Sequence, residues 1–219
     1  MPSVLARISV VLLVLAAASA PALAQRGADN ININGQLVLA ARAGQVQRVG
    51  QLLADGAQVN SRDRNGDTPL NMAAARGNAA LVDVLLRAKA DVQLANLAGV
   101  TPLMGAAYAG NAQIVQRLLA AGARLEPVDR VKKNAAVYAA GRGCAECLEQ
   151  LLQAGTPVNA RLDRDLTLLM WTAGYGQEST ARLLLEKGAD RSLRDDRGKT
   201  AADIARELNH GALGQLLAP

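Results

Sequence analysis

The sequence repeats itself with a period of 33 residues, and this period constrains the fold more than any other feature. Glycines recur at this interval as Gly44, Gly77, Gly110, Gly143 and Gly176. Leu-Leu pairs keep the same interval at residues 52–53, 85–86, 118–119, 151–152 and 184–185. A third series consists of Gly56, Gly122, Gly155 and Gly188, with Lys89 at the missing place. Three series in one register predict a stack of similar units, each of which packs on its neighbours.

Each unit has the signals of two helices and a turn. Thr68 can cap a helix whose first residue is Pro69, since proline needs no partner for an amide hydrogen there. Gly77 can take the left-handed conformation that ends this helix. Apolar residues between positions 81 and 86 are spaced three to four apart and predict a second, amphipathic helix. The polar stretch around Gly66 predicts a tight turn that projects from the unit.

This helix–turn–helix unit with a projecting turn and Thr-Pro-Leu at its start resembles the ankyrin repeat. The resemblance covers roughly residues 36 to 217. It implies an all-α solenoid with projecting β-turn or hairpin loops, whose turns and first helices line a concave, partner-binding groove. The array at 36–219 then divides into an N-terminal cap (36–60), internal repeats at about 61–93, 94–126, 127–160 and 161–192, and a C-terminal cap (193–219).

Two internal repeats depart from the pattern. Lys132 and Asp165 replace the loop-tip glycines, and Ala135 and Leu168 replace the helix-starting prolines. Asn134 and Thr167 can still cap these helices, so we expect the helices to form. The altered loop tips are either adapted to a partner or have drifted, since surface loops vary readily.

The N-terminal residues 1–24 have the organisation of a secretory signal peptide. A single arginine precedes an apolar run over residues 10–20, and an Ala-x-Ala site follows, with expected cleavage between Ala24 and Gln25. The run is short for a membrane span, so we expect no span after cleavage. Residues 25–35 are expected to form a flexible leader. The mature protein is therefore expected to be exported, and the short, alanine-rich leader favours a bacterial periplasm over release from the cell.

Charge and motifs argue against several classes of function. Loss of Arg7 with the leader takes the Lys and Arg count from 24 to 23, against 19 Asp and Glu, and these charges are spread along the chain. A nucleic-acid partner is not expected, because it requires a clustered basic face. The only histidine, His210, has no second ligand nearby, so no metal site is expected. No nucleophile elbow or dinucleotide loop is present, so we expect no catalytic residue, cofactor or small-molecule substrate.

Cys144 and Cys147 are the only cysteines and form a Cys-x-x-Cys motif. Cys144 follows the helix-ending glycine, and Cys147 falls one turn later at a core position of the repeat. Residues three apart on a helix have α-carbons about 5 Å apart, which is within disulfide range. Two structural thiols or a static bridge are therefore expected. The alternative is a redox pair activated by the helix N-terminus, although such pairs usually accompany a βαβ unit, of which this sequence has no sign.

The repeat frame places Tyr108 and Tyr175 on the groove as anchors for a partner. Tyr138 and Trp171 share one repeat position and are expected to pack between units, with Gly105 making room for Tyr138. The polar residues expected around the anchors are Arg64, Asn65, Asp67, Arg130, Lys133, Asp163 and Arg164 on the turns, and Arg76 and Arg142 at the helix ends. Their mixed charge favours a protein partner over a polyanion.

The expected function is a non-enzymatic, protein-binding scaffold in the periplasm or outside the cell. Support of an exported enzyme, immunity to an exported toxin and binding of a host protein all fit this prediction equally. A thiol-dependent redox protein that uses Cys144 and Cys147 is the alternative.

Overall fold

The computed structural model describes residues 33–218, and within this range the chain is all-α and has no β-strand. The helices are α1 (33–42), α2 (Val46–Ala54), α3 (Pro69–Ala75), α4 (Ala79–Arg87), α5 (Pro102–Ala109), α6 (Ala112–Ala120), α7 (Ala135–Arg142), α8 (Ala145–Gln153), α9 (Leu168–Gly174), α10 (Glu178–Glu186), α11 (Ala201–Glu207) and α12 (Gly211–Leu216). A 3-10 helix, Asp163–Asp165, precedes α9. The predicted signal peptide lies outside the described residues.

The helices form two layers. The first helices of successive units pack on one another, α3 on α5, α5 on α7, α7 on α9 and α9 on α11. The second helices, α2, α4, α6, α8 and α10, pack in the same order behind them. A single apolar core runs between the layers from Leu37 to Leu217. The all-α solenoid expected from the period is confirmed, because each unit buries its apolar face against its neighbours.

Small side chains let the first helices approach each other closely. Ala73, Ala106 and Ala139 occupy one repeat position and are fully buried. A β-carbon on Gly105 would lie 3.3 Å from the backbone nitrogen of Ala75 in the preceding first helix. Gly105 therefore makes room for the backbone of α3, a contact that the sequence did not indicate; that it also makes room for Tyr138 stays a prediction.

The first helix extends further toward the N-terminus than the sequence indicated. Residues 33–35, which we assigned to the flexible leader, belong to α1. Ile33 packs against the apolar core, and this burial explains why the helix includes these residues. The rest of the predicted leader, residues 25–32, lies outside the described range.

Side-chain caps begin the first helices even where proline is missing. Asn134 accepts a hydrogen bond from the backbone N–H of Val137 at the start of α7. Thr167 accepts one from the N–H of Met170 at the start of α9. These bonds confirm that both helices form without the proline, because the cap satisfies an amide that the helix leaves free.

The projecting turns are closed by one repeated acceptor. In four units a carboxylate or amide oxygen accepts the N–H groups two and four residues later; these acceptors are Asp63, Asn96, Asp129 and Asp195. For Asp195, burial raises the pKa, but hydrogen bonds from Lys199 and Arg197 outweigh it and hold the pKa below its ordinary value. The fourth internal unit has Leu162 at this position. Without the acceptor, the chain forms the 3-10 helix, and Arg164 takes a left-handed conformation with φ 56°.

The junction between the third and fourth internal units is irregular in a second way. Backbone hydrogen bonds link neighbouring turns, from Leu97 N–H to the Asn65 carbonyl at 2.9 Å and from Arg130 N–H to the Ala98 carbonyl at 2.9 Å. Asp196 N–H makes the same kind of bond to the Arg164 carbonyl of the preceding turn, at 3.1 Å. Within residues 33–218, no corresponding bond reaches the turn at residue 163 from the preceding unit. Within the described residues, the turns on either side of this junction therefore lack the backbone hydrogen bond that joins the other neighbouring turns.

Replacement of Lys89 by glycine is expected to stabilise the fold. Lys89 has φ 61°, a left-handed conformation that four other units give to glycine. Relief of this conformation is worth about 1 kcal/mol, which should raise the free energy of unfolding measured in urea. Gly122→Lys is the matched control, since a β-carbon there has open space and the cost is conformational alone. It should destabilise by a similar amount, and a destabilised Lys89→Gly variant would contradict the explanation.

Candidate functional site

All four aromatic residues of the chain cluster on the groove, which we define as the surface formed by the first helices and the projecting turns. Tyr108 and Tyr138 meet edge to face, with ring centroids 5.7 Å apart. Trp171 and Tyr175 stack, with centroids 6.1 Å apart. Tyr108 is 53% exposed and Tyr175 48% exposed. The two pairs come from α5, α7 and the end of α9, so three consecutive units build the cluster.

Lys133 lies inside this cluster. Its ammonium nitrogen is 4.9 Å from the ring centroid of Trp171, 5.6 Å from that of Tyr175 and 5.9 Å from that of Tyr138. It also donates a hydrogen bond of 3.1 Å to the hydroxyl oxygen of Tyr175. The negative faces of three rings attract the ammonium and hold a flexible side chain in one place.

Arg142 places a second positive charge beside the cluster. Its guanidinium carbon lies 4.9 Å from the ring centroid of Tyr108. Neither Arg142 nor Lys133 makes an ion pair with a carboxylate in the part of the chain that the structure describes. Among the described residues, these two cations thus place positive charge beside the aromatic rings.

A cavity of about 330 Å³ opens between these side chains, and we call it the aromatic pocket. Its walls are Tyr108, Lys133, Val137, Tyr138, Gly141, Arg142, Tyr175 and Gln177. A β-carbon on Gly141 would lie 3.0 Å from the ring of Tyr175, so glycine is what lets this ring lie against α7. The pocket is thus shaped by a small residue on one unit and a large one on the next.

Asp129 connects the aromatic pocket to the turn of its own unit. Its carboxylate is buried and accepts the N–H groups of Val131 and Lys133, each at 2.9 Å. The Tyr138 hydroxyl donates a hydrogen bond to the same carboxylate. Burial and then this carboxylate raise the pKa of Tyr138 above its ordinary value, so the phenol stays neutral. Asp129 therefore fixes the backbone at Lys133 and the hydroxyl group of Tyr138.

The structure brings together four of the residues that the sequence marked for binding. Tyr108, Lys133, Arg142 and Tyr175 all line the aromatic pocket. The others lie outside its walls, namely Arg64, Asn65, Asp67, Arg76, Arg130, Asp163 and Arg164. Several of these have roles in the fold: the Asn65 and Arg164 carbonyls and the Arg130 N–H link neighbouring turns, and Asp67 accepts a hydrogen bond from Asn96.

Sequence reasoning did not assign Tyr138 and Trp171 to the site. Both pack partly on the core, as expected, but their rings also form the groove cluster around Lys133. One signal was present in the sequence. Trp171 and Tyr175 are four residues apart, and residues at that spacing share one face of a helix.

The two cysteines are joined by a disulfide with α-carbons 5.3 Å apart. Cys144 is the N-cap of α8, and its sulfur accepts the backbone N–H of Cys147 at 3.2 Å. Asn78 and Asn111 cap the second helices of earlier units in the same way. Cys147 is fully buried in the core. The pair thus occupies a cap position and a core position of the repeat.

Other kinds of site are not apparent in residues 33–218. This range contains no group of three or more His, Cys, Asp or Glu residues that could hold a metal ion. None of its helices is long and apolar enough to cross a membrane.

A second cavity of about 200 Å³ lies at the irregular junction between the third and fourth internal units. Leu125, Pro157 and Leu162 help to line it.

The family model for ankyrin repeats in three copies matches residues 37–129 and 135–219. The chain belongs to the ankyrin-repeat family. The unmatched residues between the two segments, 130–134, form the turn that carries Lys133. Ankyrin repeats are typically non-enzymatic, and the family indicates a protein-binding scaffold. No curated protein sequence matches the chain.

The disulfide is expected to contribute modestly to stability. Bridging residues three apart closes a very short loop, worth about 2 kcal/mol. The Cys144→Asn, Cys147→Ile variant copies Asn111 and Ile114 of the preceding unit, so its cap and buried methyl groups should offset most of this loss. Urea unfolding should place it within about 1 kcal/mol of the oxidised parent.

The Cys144→Ala, Cys147→Ala variant is the control for this comparison. It loses the bridge and the cap and leaves a cavity in the core, so it should lose about 3 kcal/mol or more. Equal losses in the two variants would show that the cap and core positions do not explain these cysteines.

Proposed function

We propose that this ankyrin-repeat protein is a non-enzymatic scaffold that binds a protein partner through the groove and the loop tips, in the periplasm or outside the cell. The observation that carries the proposal is the aromatic pocket, where exposed tyrosines meet two cations that have no ion pair within residues 33–218, at the centre of the array. Tyrosine and arginine are the residues that most often dominate binding energy at interfaces.

The geometry supports a preformed binding surface. Lys133 is held by three rings and a hydrogen bond, and Tyr138 is held by Asp129. Side chains that are already fixed lose little conformational entropy when a partner binds. The groove therefore has the properties of a docking surface on a rigid scaffold.

Two features support the proposed location. Residues 1–24 have the pattern of a secretory signal peptide, and the only two cysteines of the chain form a disulfide. Disulfides persist in exported proteins and are rare in a reducing cytosol. Within this location, support of an exported enzyme, toxin immunity and host-protein binding all use the same groove.

A thiol-dependent redox protein is the second candidate. The position of Cys144 at the N-terminus of α8 favours it, because a helix N-terminus stabilises a thiolate. The complete burial of Cys147 argues against it, since exchange requires access to sulfur. If the folded Cys144→Asn, Cys147→Ile variant kept its partner binding but no longer supported the protein's role in the cell, the redox function would be favoured.

The scaffold proposal predicts that partner capture depends on the exposed tyrosines. The parent and the Tyr108→Ala, Tyr175→Ala variant would be used to capture proteins from the native exported fraction with a short crosslinker. We expect one protein to be enriched by the parent and depleted about tenfold or more with the variant, because two groove anchors are lost. Quantitative mass spectrometry of the captured proteins measures the ratio.

Leu208→Ala is the matched control for this capture. Leu208 occupies the repeat position of Tyr175 in the next unit and is similarly exposed, at 51%. It lies outside the aromatic pocket, so the control should capture the partner as the parent does. Equal capture by the parent and the tyrosine variant, with both folded by circular dichroism, would move the binding site away from the groove.

The proposed export predicts the N-terminus of the mature protein. When the full chain is expressed in a bacterial host, the protein recovered from the exported fraction should begin at Gln25, because cleavage follows the Ala-x-Ala site. Intact-mass spectrometry measures this directly. An Ala22→Arg, Ala24→Arg variant should keep its leader, and an uncleaved parent that remains in the cytosol would refute the location.

A further inference from the structure

We propose that the aromatic pocket binds an acidic peptide segment of the partner. A carboxylate of that segment lies between the Lys133 ammonium and the Arg142 guanidinium, and a neighbouring apolar or aromatic side chain packs against Tyr108. This inference rests on the proposed scaffold function and specifies the chemistry of its partner.

The charges of the pocket walls are one-sided. Two of the eight wall residues are cations, and none is acidic. Asp129 is the carboxylate that touches the cluster, and its oxygens already accept the N–H groups of Val131 and Lys133 and the hydroxyl of Tyr138. It is therefore committed to the turn and to Tyr138. A carboxylate from a partner is the group that complements the remaining positive charge.

The hydrogen-bonding groups of the walls are also mainly donors. The Tyr175 hydroxyl oxygen accepts from Lys133, so its own hydrogen remains free to be donated. The guanidinium of Arg142 lies over the Tyr108 ring, and it makes no ion pair with a carboxylate within residues 33–218. A carboxylate accepts from several donors at once, and bonds from charged donors are the stronger ones.

Partial burial strengthens this complementarity. Lys133 is half-buried among aromatic rings, where water screens its charge less than on an open surface. The same rings argue against a cationic ligand, because the space between Tyr138, Trp171 and Tyr175 is already filled by the Lys133 ammonium. Tyr108 and Arg142 also line the pocket, and neither belongs to the set of rings around the ammonium.

The size and walls of the pocket define the rest of the motif. A volume of about 330 Å³ is at the lower end of the range for ligand pockets, so it suits a short motif. The Tyr108 ring, packed edge to face on Tyr138, offers an aromatic wall. An apolar or aromatic residue next to the acidic residue would bury that wall.

A nucleic acid is the alternative polyanion, and the surroundings of the pocket disfavour it. Polyanions bind to a continuous basic surface. The turn of the unit that carries Tyr175 has Asp163 and Asp165, both exposed, with Arg161 and Arg164 beside them, and Arg161 pairs with Asp165 at 3.7 Å. A phosphate backbone that extends beyond the pocket would therefore meet mixed charge instead of a continuous basic face.

The experiment that tests this proposal is selection from a displayed peptide library. Random peptides of about 12 residues would be selected for binding to the mature protein. Peptides that also bind the folded Lys133→Glu, Arg142→Glu variant would then be removed. Peptides that survive should share an acidic residue next to an apolar or aromatic one. Each would be resynthesised with a fluorescent label and measured by fluorescence anisotropy.

Peptide and protein variants then identify the groups in contact. Replacement of the acidic residue by its amide in the peptide, and Lys133→Gln or Arg142→Gln in the protein, should each weaken Kd about tenfold. Arg76→Gln is the matched control, since Arg76 holds the repeat position of Arg142 two units earlier and lies outside the pocket. It should change Kd less than about twofold. Free and amidated C-termini distinguish a terminal carboxylate from a side-chain carboxylate.

Several results would overturn the proposal. These are enriched peptides without acidic residues, equal Kd values for acid and amide peptides, equal losses with Arg76→Gln, and no enrichment at all. If a fluorescent oligonucleotide bound more tightly than the selected peptides, and if that binding depended on Lys133, the pocket would be assigned to nucleic acid. Neutral or basic peptides that lose binding with Tyr108→Ala, Tyr175→Ala would refute only the acidic motif. If the selected peptides bound this variant as tightly as they bind the parent, the proposal that the groove is the binding site would be refuted.

Discussion

The burial of each unit's apolar face against its neighbours is the interaction on which the whole structure depends. Seven- to nine-residue helices such as α3 and α4 are too short to be stable alone in water. They persist because alanine and glycine on the first helices allow close packing, while leucines of the second helices fill the space behind. The groove inherits its rigidity from this continuous core.

The aromatic pocket lies where the regular stack is least regular. Leu162 replaces the acceptor that closes the other turns, Arg164 is left-handed at a position where the other turns are not, and one link between turns is missing in the described chain. The indole N–H of Trp171 is also buried without an acceptor in residues 33–218. Each of these features costs stability, and proteins tend to retain such costs at functional sites. Their coincidence with Lys133 and Arg142, which have no ion pair within residues 33–218, supports a binding role for this junction.

Asp129 shows how one side chain serves both the fold and the site. Its carboxylate closes the turn of its own unit, as Asp63 and Asp195 do in theirs. Among the units within residues 33–218, this is the one in which the same carboxylate also accepts a hydrogen bond from the hydroxyl of a tyrosine on the following helix. A general device of the repeat is thereby connected to a specific arrangement of Lys133 and Tyr138. The walls of the pocket keep two cations and no acidic residue, while the oxygens of Asp129 face the turn and the Tyr138 hydroxyl.

The sequence by itself determined the period, the helix pairs, the caps at Asn134 and Thr167, and the core position of Cys147. Each of these follows from residues within one unit, where spacing along a helix decides which side chains share a face. It also placed Tyr108, Lys133, Arg142 and Tyr175 on the same surface. It did not show that Lys133 lies among three rings, that Tyr138 and Trp171 face the groove, or that Gly105 accommodates Ala75. Only the tertiary structure decided these points, because Lys133 and Tyr175 are 42 residues apart and meet through the offset between stacked units.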